Sequence, residues 1–427
     1  MRVRRTVLST IVGGALAAGA LVAPATASAA PDFYAPPAEL GGAPGDVLRA
    51  EPSDLAIRVP TETGMFPAQG TRLMYRSTDT HGAPNAVTGT YLEPSQPWHG
   101  TGARPLVALA PGTQGQGDQC APSKQLNGLI NYTPPLDLFT EYELISINAM
   151  LLQGIGVVVT DYEGLGTPGD HTYVNRAAEA HAVLDAARAA LSLDGTSLSD
   201  DSPIGLWGYS QGGGATAAAA ELQPAYAPEL DVKGTYAGAP PADLEATLAQ
   251  IDGSFLTGAI GYTVNGLAQA YPEQRSKIDA VFNDRGRAML AGVAGQCVPE
   301  TGLRYGFQRT SDYTKDGRPL SEVLDGLPDV KALLDEQRIG RATPTSPVLI
   351  QHGTQDDIVP YGQGRQLAAD WCAQGATVQF SPNLTPPILP SVGIGHVVPM
   401  LGGLPEAVSF LNDRFAGVPA PNNCGTF

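Results

Sequence analysis

Apolar and polar residues alternate in two early runs, Thr71 to Ser77 and Ala86 to Glu93, separated by the turn-forming Asp79-Thr-His-Gly-Ala-Pro84. A period of two across such a turn predicts an antiparallel pair of strands. Further along, the alternation gives way to short apolar runs: Pro105–Ala110, Ile155–Thr160, Pro203–Trp207, Val232–Ala237 and Pro347–Gln351. Runs of this kind read as strands covered on both faces. Between them, Leu136–Leu152, Tyr173–Leu191, Gln211–Leu222 and Gly362–Ala373 read as helices, the second with Val174, Ala177, His181 and Leu184 on one face. Strands alternating with helices predict an α/β fold with a largely parallel, doubly wound sheet.

One region breaks the rhythm. From Pro241 to Thr345 more than a hundred residues separate two strands that an ordinary crossover joins with one helix. The expected organisation is therefore a core in two parts, residues 31–240 and 346–427, around a helical cap insertion at 241–345. Helical patches at Ser276–Phe282 and Leu320–Glu336 fall inside the insertion, and the Pro- and Gly-rich segment 31–45 is expected to wrap the surface.

Composition supports a folded chain. Of 427 residues, 43% are hydrophobic and 16% charged, enough to bury a large core. Glycine and proline together make about 21%, below the roughly 25–30% at which low-complexity disorder becomes the leading reading. The net charge is −17, and because Arg2, Arg4 and Arg5 sit in an N-terminal segment without acids, the remainder is more acidic still. Nucleic acid and anionic membrane surfaces are poor partners for such a field. Those three arginines precede an apolar run from Val7 to Ala23 and the small residues Ala25-Thr-Ala-Ser-Ala-Ala30. This pattern predicts a secretion signal over residues 1–30 and a released, extracellular product without a stable membrane anchor. Cys120, Cys297, Cys372 and Cys424 form an even set in an exported chain, which favours two disulfides over a metal site and leaves three connectivities open.

The candidate chemistry centres on Gly208-Tyr-Ser210-Gln-Gly212, a G-x-S-x-G pattern. A Gly-rich chain supplies that pattern easily by chance, so its place decides. It stands where the strand Pro203–Trp207 ends and the helix from Gln211 begins. A serine on such a turn is forced into strained backbone geometry, and small residues two positions away on each side avoid clashes. The turn also puts the Gln211 N–H at a helix N-terminus, where it can stabilise an oxyanion. In this arrangement the acid and then the histidine follow the serine in the chain. Only His352 and His396 do so, and His396, expected in a loop before the last helix, is the candidate base. His352 reads as a structural hydrogen bonder. Asp356 and Asp357 both follow the strand Pro347–Gln351, and the spacing His-Gly-x-x-Asp favours Asp356 as the acid. Asp357 then serves as a solvated loop carboxylate or a cap, and Asp161 as a loop organiser. The loop Pro111-Gly-Thr-Gln114 should supply the second oxyanion donor, with Thr113 N–H preferred and its two neighbours left open. Gly115-Gln-Gly117 lacks the lysine of a nucleotide-binding loop.

Taken together, Gln119–Ser123, Asp161–Gly164, Val183–Ala190, Gly205–Ala215, Pro224–Leu230 and His352–Tyr361 make the chain resemble the secretory lipase family over most of its length. The resemblance implies an α/β-hydrolase core with a helical cap, hydrolysing acylglycerols and other carboxylic esters through Ser210, Asp356 and His396, as a monomer and without a cofactor. It also implies pairing Cys120 with Cys297 and Cys372 with Cys424. Phe255, Leu256, Ile260, Tyr262, Leu267 and Tyr271 are expected either to line an acyl pocket or to form the insertion's own core. A carboxylesterase for short-chain or aromatic esters, an acyltransferase and a non-catalytic secreted binding protein are the alternative functions.

Overall fold

In the computed structural model, which describes residues 32–61 and 64–427, nine strands form one sheet. The expected secretion signal lies outside the described residues. The strands are β1 (Val47–Ser53), β2 (Ala68–Thr78), β3 (Pro84–Pro94), β4 (Leu106–Ala110), β5 (Gly156–Thr160), β6 (Ile204–Tyr209), β7 (Val232–Gly238), β8 (Val348–Gly353) and β9 (Val378–Asn383). They lie in the order β1-β2-β3-β5-β4-β6-β7-β8-β9. The pairs β1–β2, β2–β3 and β3–β5 are antiparallel, and the remaining five are parallel. The sheet is thus doubly wound from β5 onward, as the alternation of elements predicts, and the architecture is that of an α/β-hydrolase.

The central strands β4, β5, β6 and β8 are buried at every position, which is why their sequences run apolar without alternation. Helices α1 (Leu144–Leu151), α2 (Arg176–Leu191) and α3 (Gln211–Tyr226) follow β4, β5 and β6 in turn. The helices α2 and α3 pack on each other and on the sheet through buried alanines, among them Ala186, Ala187, Ala217 and Ala218. Small side chains let the helices approach closely, at the expense of any strong amphipathic signal.

Between β7 and β8 the chain forms seven helices: α4 (Leu244–Ile251), α5 (Ala259–Ala270), α6 (Arg275–Val281), α7 (Asp284–Val293), α8 (Val298–Tyr305), α9 (Leu320–Leu324) and α10 (Pro328–Glu336). They share an apolar cluster that includes Ile260, Tyr262, Met289 and Leu334 and that also takes in Ile358 and Val359 after β8. Helices α11 (Tyr361–Ala373) and α12 (Ile394–Phe415) complete the core.

Several elements depart from the sequence expectation. The segment Leu136–Leu152 is helical only from Leu144; before it, Asn131–Thr133 and Asp137–Phe139 form a two-stranded ribbon around Pro134-Pro135. The helix expected from Tyr173 starts at Arg176, because the Asn175 side chain caps Ala178 N–H at 3.1 Å, and Val174 lies outside it with φ +54°. The single run Leu320–Glu336 is two helices, the second starting on Pro328. His396 sits not in a loop but in the first turn of α12.

Two disulfides join Cys120 to Cys297 and Cys372 to Cys424, as the family resemblance implies. They span 177 and 52 residues, so in the chain-entropy model they stabilise by at most about 5 and 4 kcal/mol. Calorimetry should show a lower Tm for Cys297→Ser and for Cys424→Ser, and an unchanged Tm in either variant would contradict the corresponding bond.

Candidate active site

The strand β6 leads directly into α3, and Ser210 is the residue at the join. Its φ of +59° and ψ of −122° are rare for a residue with a side chain and cost of order 1–3 kcal/mol. Ser210 N–H donates to Gly238 O at 2.9 Å, which fixes the turn from the side of β7. A Cβ on Gly208 would lie 2.1 Å from Gly212 O, and one on Gly212 would lie 1.9 Å from Ala110 O. The expected need for small residues on both sides of the serine is thus met by a close approach of three backbone segments.

Asp356 follows β8, at the same edge of the sheet. Its Oδ1 accepts the Ile358 and Val359 N–H groups, both at 2.9 Å, and its Oδ2 accepts His396 Nδ1 at 2.7 Å. With Nδ1 facing a carboxylate, that nitrogen carries the proton and Nε2 presents a lone pair. Nε2 is buried and has no hydrogen-bond partner, so no bond yet links it to Ser210. The Tyr209 hydroxyl, on the residue next to Ser210, donates to the His396 carbonyl at 2.7 Å and ties α12 to the elbow. Burial disfavours the Asp356 carboxylate, but the neighbouring His396 and His352 rings and their hydrogen bonds overcome this and hold its pKa far below the usual range.

The other expected residues take the following places. His352 is fully buried, with Nε2 at 3.0 Å from Val359 O and 3.4 Å from Asp356 Oδ2. It braces the Asp356 turn. Asp357 bonds to neither histidine; its Oδ2 accepts Gly393 N–H at 2.9 Å, holding the left-handed Gly393 that caps α12. Asp161 accepts Ser123 N–H at 2.8 Å and the Thr88 hydroxyl at 2.6 Å, tying the segment after β5 to β3 and to Ser123. Thr113 Oγ1 lies 2.7 Å from the Tyr173 hydroxyl. Among the described residues, neither Thr113 N–H nor Gln211 N–H has a protein acceptor.

Ser210, Thr113 and Gln211 all line one cavity, with about 990 Å³ of atom-free space including its mouth. Its walls run into the insertion and include Leu248 of α4, Val264 of α5, Ile278 of α6, Leu324 of α9 and Leu334 of α10. Of the six insertion residues singled out in the sequence, Leu256, Ile260 and Leu267 line it. Tyr262 is buried and bonded to Thr301 Oγ1 at 2.6 Å, Tyr271 bonds to Glu336 Oε1 at 2.9 Å, and Phe255 packs on Phe307.

A cluster behind Gln211 has no counterpart in the sequence reading. The Gln211 side-chain amide donates to Glu179 Oε1 at 2.7 Å and to His171 Nε2 at 2.9 Å, while His171 Nδ1 donates to Glu163 O at 2.8 Å. Glu179 also accepts Val174 N–H at 2.8 Å. All of these side chains are buried, and an acid at the fourth position of an alanine-rich helix is the available signal. Burial raises Glu179 to about 8 and lowers His171 to about 4, which favours the neutral form of each.

Burial likewise raises the Glu141 and Glu143 carboxyls. An acid with a raised folded-state pKa stabilises the fold fully below its unfolded value, about 4.3, and loses that contribution as pH rises through the folded value. Asp356 acts in the opposite sense and costs stability only in strong acid. His171, with its lowered folded value, opposes this loss below its unfolded value of about 6.5, so calorimetry should show Tm falling from about pH 6.5 to pH 8, and Glu179→Gln should flatten the fall. A wild-type Tm that is level across this window would mean that the buried acids are not held neutral.

A model of the family described as Secretory lipase matches residues 133–423. A Mycobacterium tuberculosis protein described as a probable inactive lipase is 33% identical over 91% of this chain and 82% of its own length. A secreted triacylglycerol lipase of Malassezia furfur is 30% identical over 92% of this chain and 77% of its own. Among solved structures, Candida antarctica lipase A in its closed state matches with a TM-score of 0.73 at 27% identity, over 90% of this chain and 85% of that one. With likeness in sequence and in fold extending over most of its length, the chain belongs to the secretory lipase family.

Proposed function

We propose that the protein is a secreted triacylglycerol lipase that works through a Ser210–His396–Asp356 triad and an acyl-enzyme. The observation that carries this reading is the junction of two features: a strained serine opening into an apolar cavity, and a carboxylate-bound histidine whose Nε2 is free. Ser210 Oγ attacks the ester carbonyl as His396 Nε2 takes its proton, and Asp356 stabilises the imidazolium. The oxyanion receives hydrogen bonds from Thr113 and Gln211 N–H, and its collapse expels the alcohol, which takes the proton from His396. Water then attacks the acyl-enzyme with the same histidine as base, releasing the fatty acid and restoring Ser210. The apolar walls in the insertion favour a long acyl chain over a short one, and the insertion at 241–345 acts as the cap over that chain. Leader removal at residues 29–30 and export fit the family's secretory character.

A second reading is a non-catalytic lipid-binding protein. It is favoured by the relative described as a probable inactive lipase. A fluorophosphonate probe separates the two, because it labels only an activated serine: labelling that is lost in Ser210→Ala supports the lipase, and its absence in the wild type supports the binder.

Ser210→Ala and His396→Ala should each lower hydrolysis of p-nitrophenyl and glyceryl esters by on the order of 10⁴-fold or more, with cooperative melting retained. Asp356→Asn should cost far more rate than Asp357→Asn, and His352→Ala should leave measurable turnover. Equal, mild losses at both aspartates would move the acid elsewhere. Val264→Trp, which fills the cavity, should lower palmitate hydrolysis by about ten-fold or more relative to butyrate, as expected for lost pocket contacts. An unchanged chain-length profile would mean that the acyl chain lies elsewhere.

A further inference from the structure

Two of the buried carboxylates have no part in the proposed reaction. Glu141 and Glu143 are each 1% exposed and lie between the ribbon strand Asp137–Phe139 and helix α1. Among the described residues no lysine, arginine or histidine acts on either one. Nor does Glu143, which stands at the N-cap of α1, cap that helix with its side chain. Two uncompensated acids in a low-dielectric interior are costly, so the bonds that they make are the place to look for their use.

Those bonds, with one from Tyr142 between the two acids, run to three successive residues of the loop after β4. Glu143 Oε1 accepts Gly112 N–H at 3.0 Å, the Tyr142 hydroxyl donates to Thr113 O at 3.1 Å, and Glu141 Oε1 accepts Gln114 Nε2 at 3.3 Å. Glu141 Oε1 also accepts Glu143 N–H at 3.1 Å, so the grip is braced within itself. On the other side, the Tyr162 hydroxyl donates to Pro111 O at 2.8 Å. The peptide joining Pro111 to Gly112 is thereby held at both its carbonyl and its N–H. The peptide joining Thr113 to Gln114 is held at its carbonyl. A Cβ on Gly112 would lie 2.5 Å from the Tyr142 hydroxyl, so glycine is what lets the tyrosine reach in.

Between these two fixed peptides lies the one that carries Thr113 N–H, which has no protein acceptor. We propose that Glu143, together with Tyr142, is a positioning residue for the oxyanion loop, locking the peptides on both sides of Thr113 N–H so that this donor is aimed before an ester arrives. The inference rests on the reading of Thr113 as an oxyanion donor. Such a group acts on the transition state and not on substrate binding, so its loss falls on kcat and leaves KM. Because the role needs an acceptor and not a charge, glutamine can fill it.

The test compares Glu143→Leu, Glu143→Gln and Tyr142→Phe with the wild type in steady-state hydrolysis of p-nitrophenyl butyrate. Removing an oxyanion donor outright costs about 10²–10³ in kcat, and misaiming one should cost about ten- to a hundred-fold. Glu143→Leu is expected to show that loss with KM within two-fold, and Glu143→Gln to recover kcat to within a few-fold of the wild type. Tyr142→Phe is expected to lose about ten-fold in kcat with its melting transition retained. A wild-type kcat in Glu143→Leu, or a glutamine variant as slow as the leucine one, would overturn the proposal. If Glu143→Leu does not melt cooperatively, Tyr142→Phe decides alone, and an unchanged kcat there overturns it. Fluorophosphonate labelling of the wild-type Ser210 is run alongside. Its failure would sink the hydrolase reading itself, whereas labelling with unperturbed variant kinetics would sink only the positioning role.

Discussion

Everything at the site depends on the backbone crowding at the start of α3. Gly208, Gly212 and Gly213 bring the elbow to within contact of Ala110 at the end of β4 and Gly238 at the end of β7. A side chain at any of them would collide with a backbone carbonyl, which cannot move aside as a rotamer does. That contact fixes three strand ends against one helix, and it holds Ser210 in a conformation that its own side chain disfavours. The strain is sustained because the surrounding β4, β6 and β7 are buried throughout or nearly so, and the sheet cannot relax around the turn. The same crowding puts the loop after β4 beside the helix N-terminus, so that one packing constraint creates both the exposed hydroxyl and the pair of free N–H groups.

How much of this could be read in the sequence follows from how local each determinant is. The buried strands were legible because burial on both faces writes an apolar run, and the elbow because its glycines are required within two residues of the serine. The edge strands β1 and β9 were not. Only one position of β1 is buried, and in β9 the alternation lasts only from Val378 to Ser381 before Pro382, too short a pattern to stand out. The first turn of α12 is illegible in the sequence for a different reason. Gly393, Gly395, Pro399, Gly402, Gly403 and Pro405 are poor helix formers, and the helix exists because its face, with Ala407, Phe410, Leu411 and Phe415, packs on the sheet.

The candidate site divides in the same way. Ser210, Asp356 and His396 were named from short-range spacing and chain order, and the structure brings Asp356 and His396 into contact across 40 residues of sequence. The supporting groups were invisible because their partners are far away in the chain. Glu179 meets Gln211 over 32 residues and Glu143 meets Gly112 over 31. A buried acid inside an apolar or alanine-rich stretch announces that it must have a partner, but not which one. The Glu141-Tyr142-Glu143 run was absorbed into an expected helix, and that helix failed at those residues, where the side chains turn away to hold another loop.

These acids also explain how a chain of net charge −17 can keep a site fit to stabilise a negative charge. In the proposed reaction the oxyanion grows beside Thr113 and Gln211, and the carboxyls that reach behind those two residues are Glu143 and Glu179. Desolvation raises both, which favours their neutral, protonated forms and weakens their repulsion of that charge. Asp356 is also buried, yet it faces two imidazoles and two backbone N–H groups, and these keep it ionised where a developing imidazolium needs an anion. The opposite shifts come from what each carboxylate faces and not from depth of burial. For the proposed reaction, acids biased towards their neutral forms behind the oxyanion donors and a fixed anion beside the histidine give the site a direction, along which a proton can leave the serine and negative charge can settle on the ester oxygen.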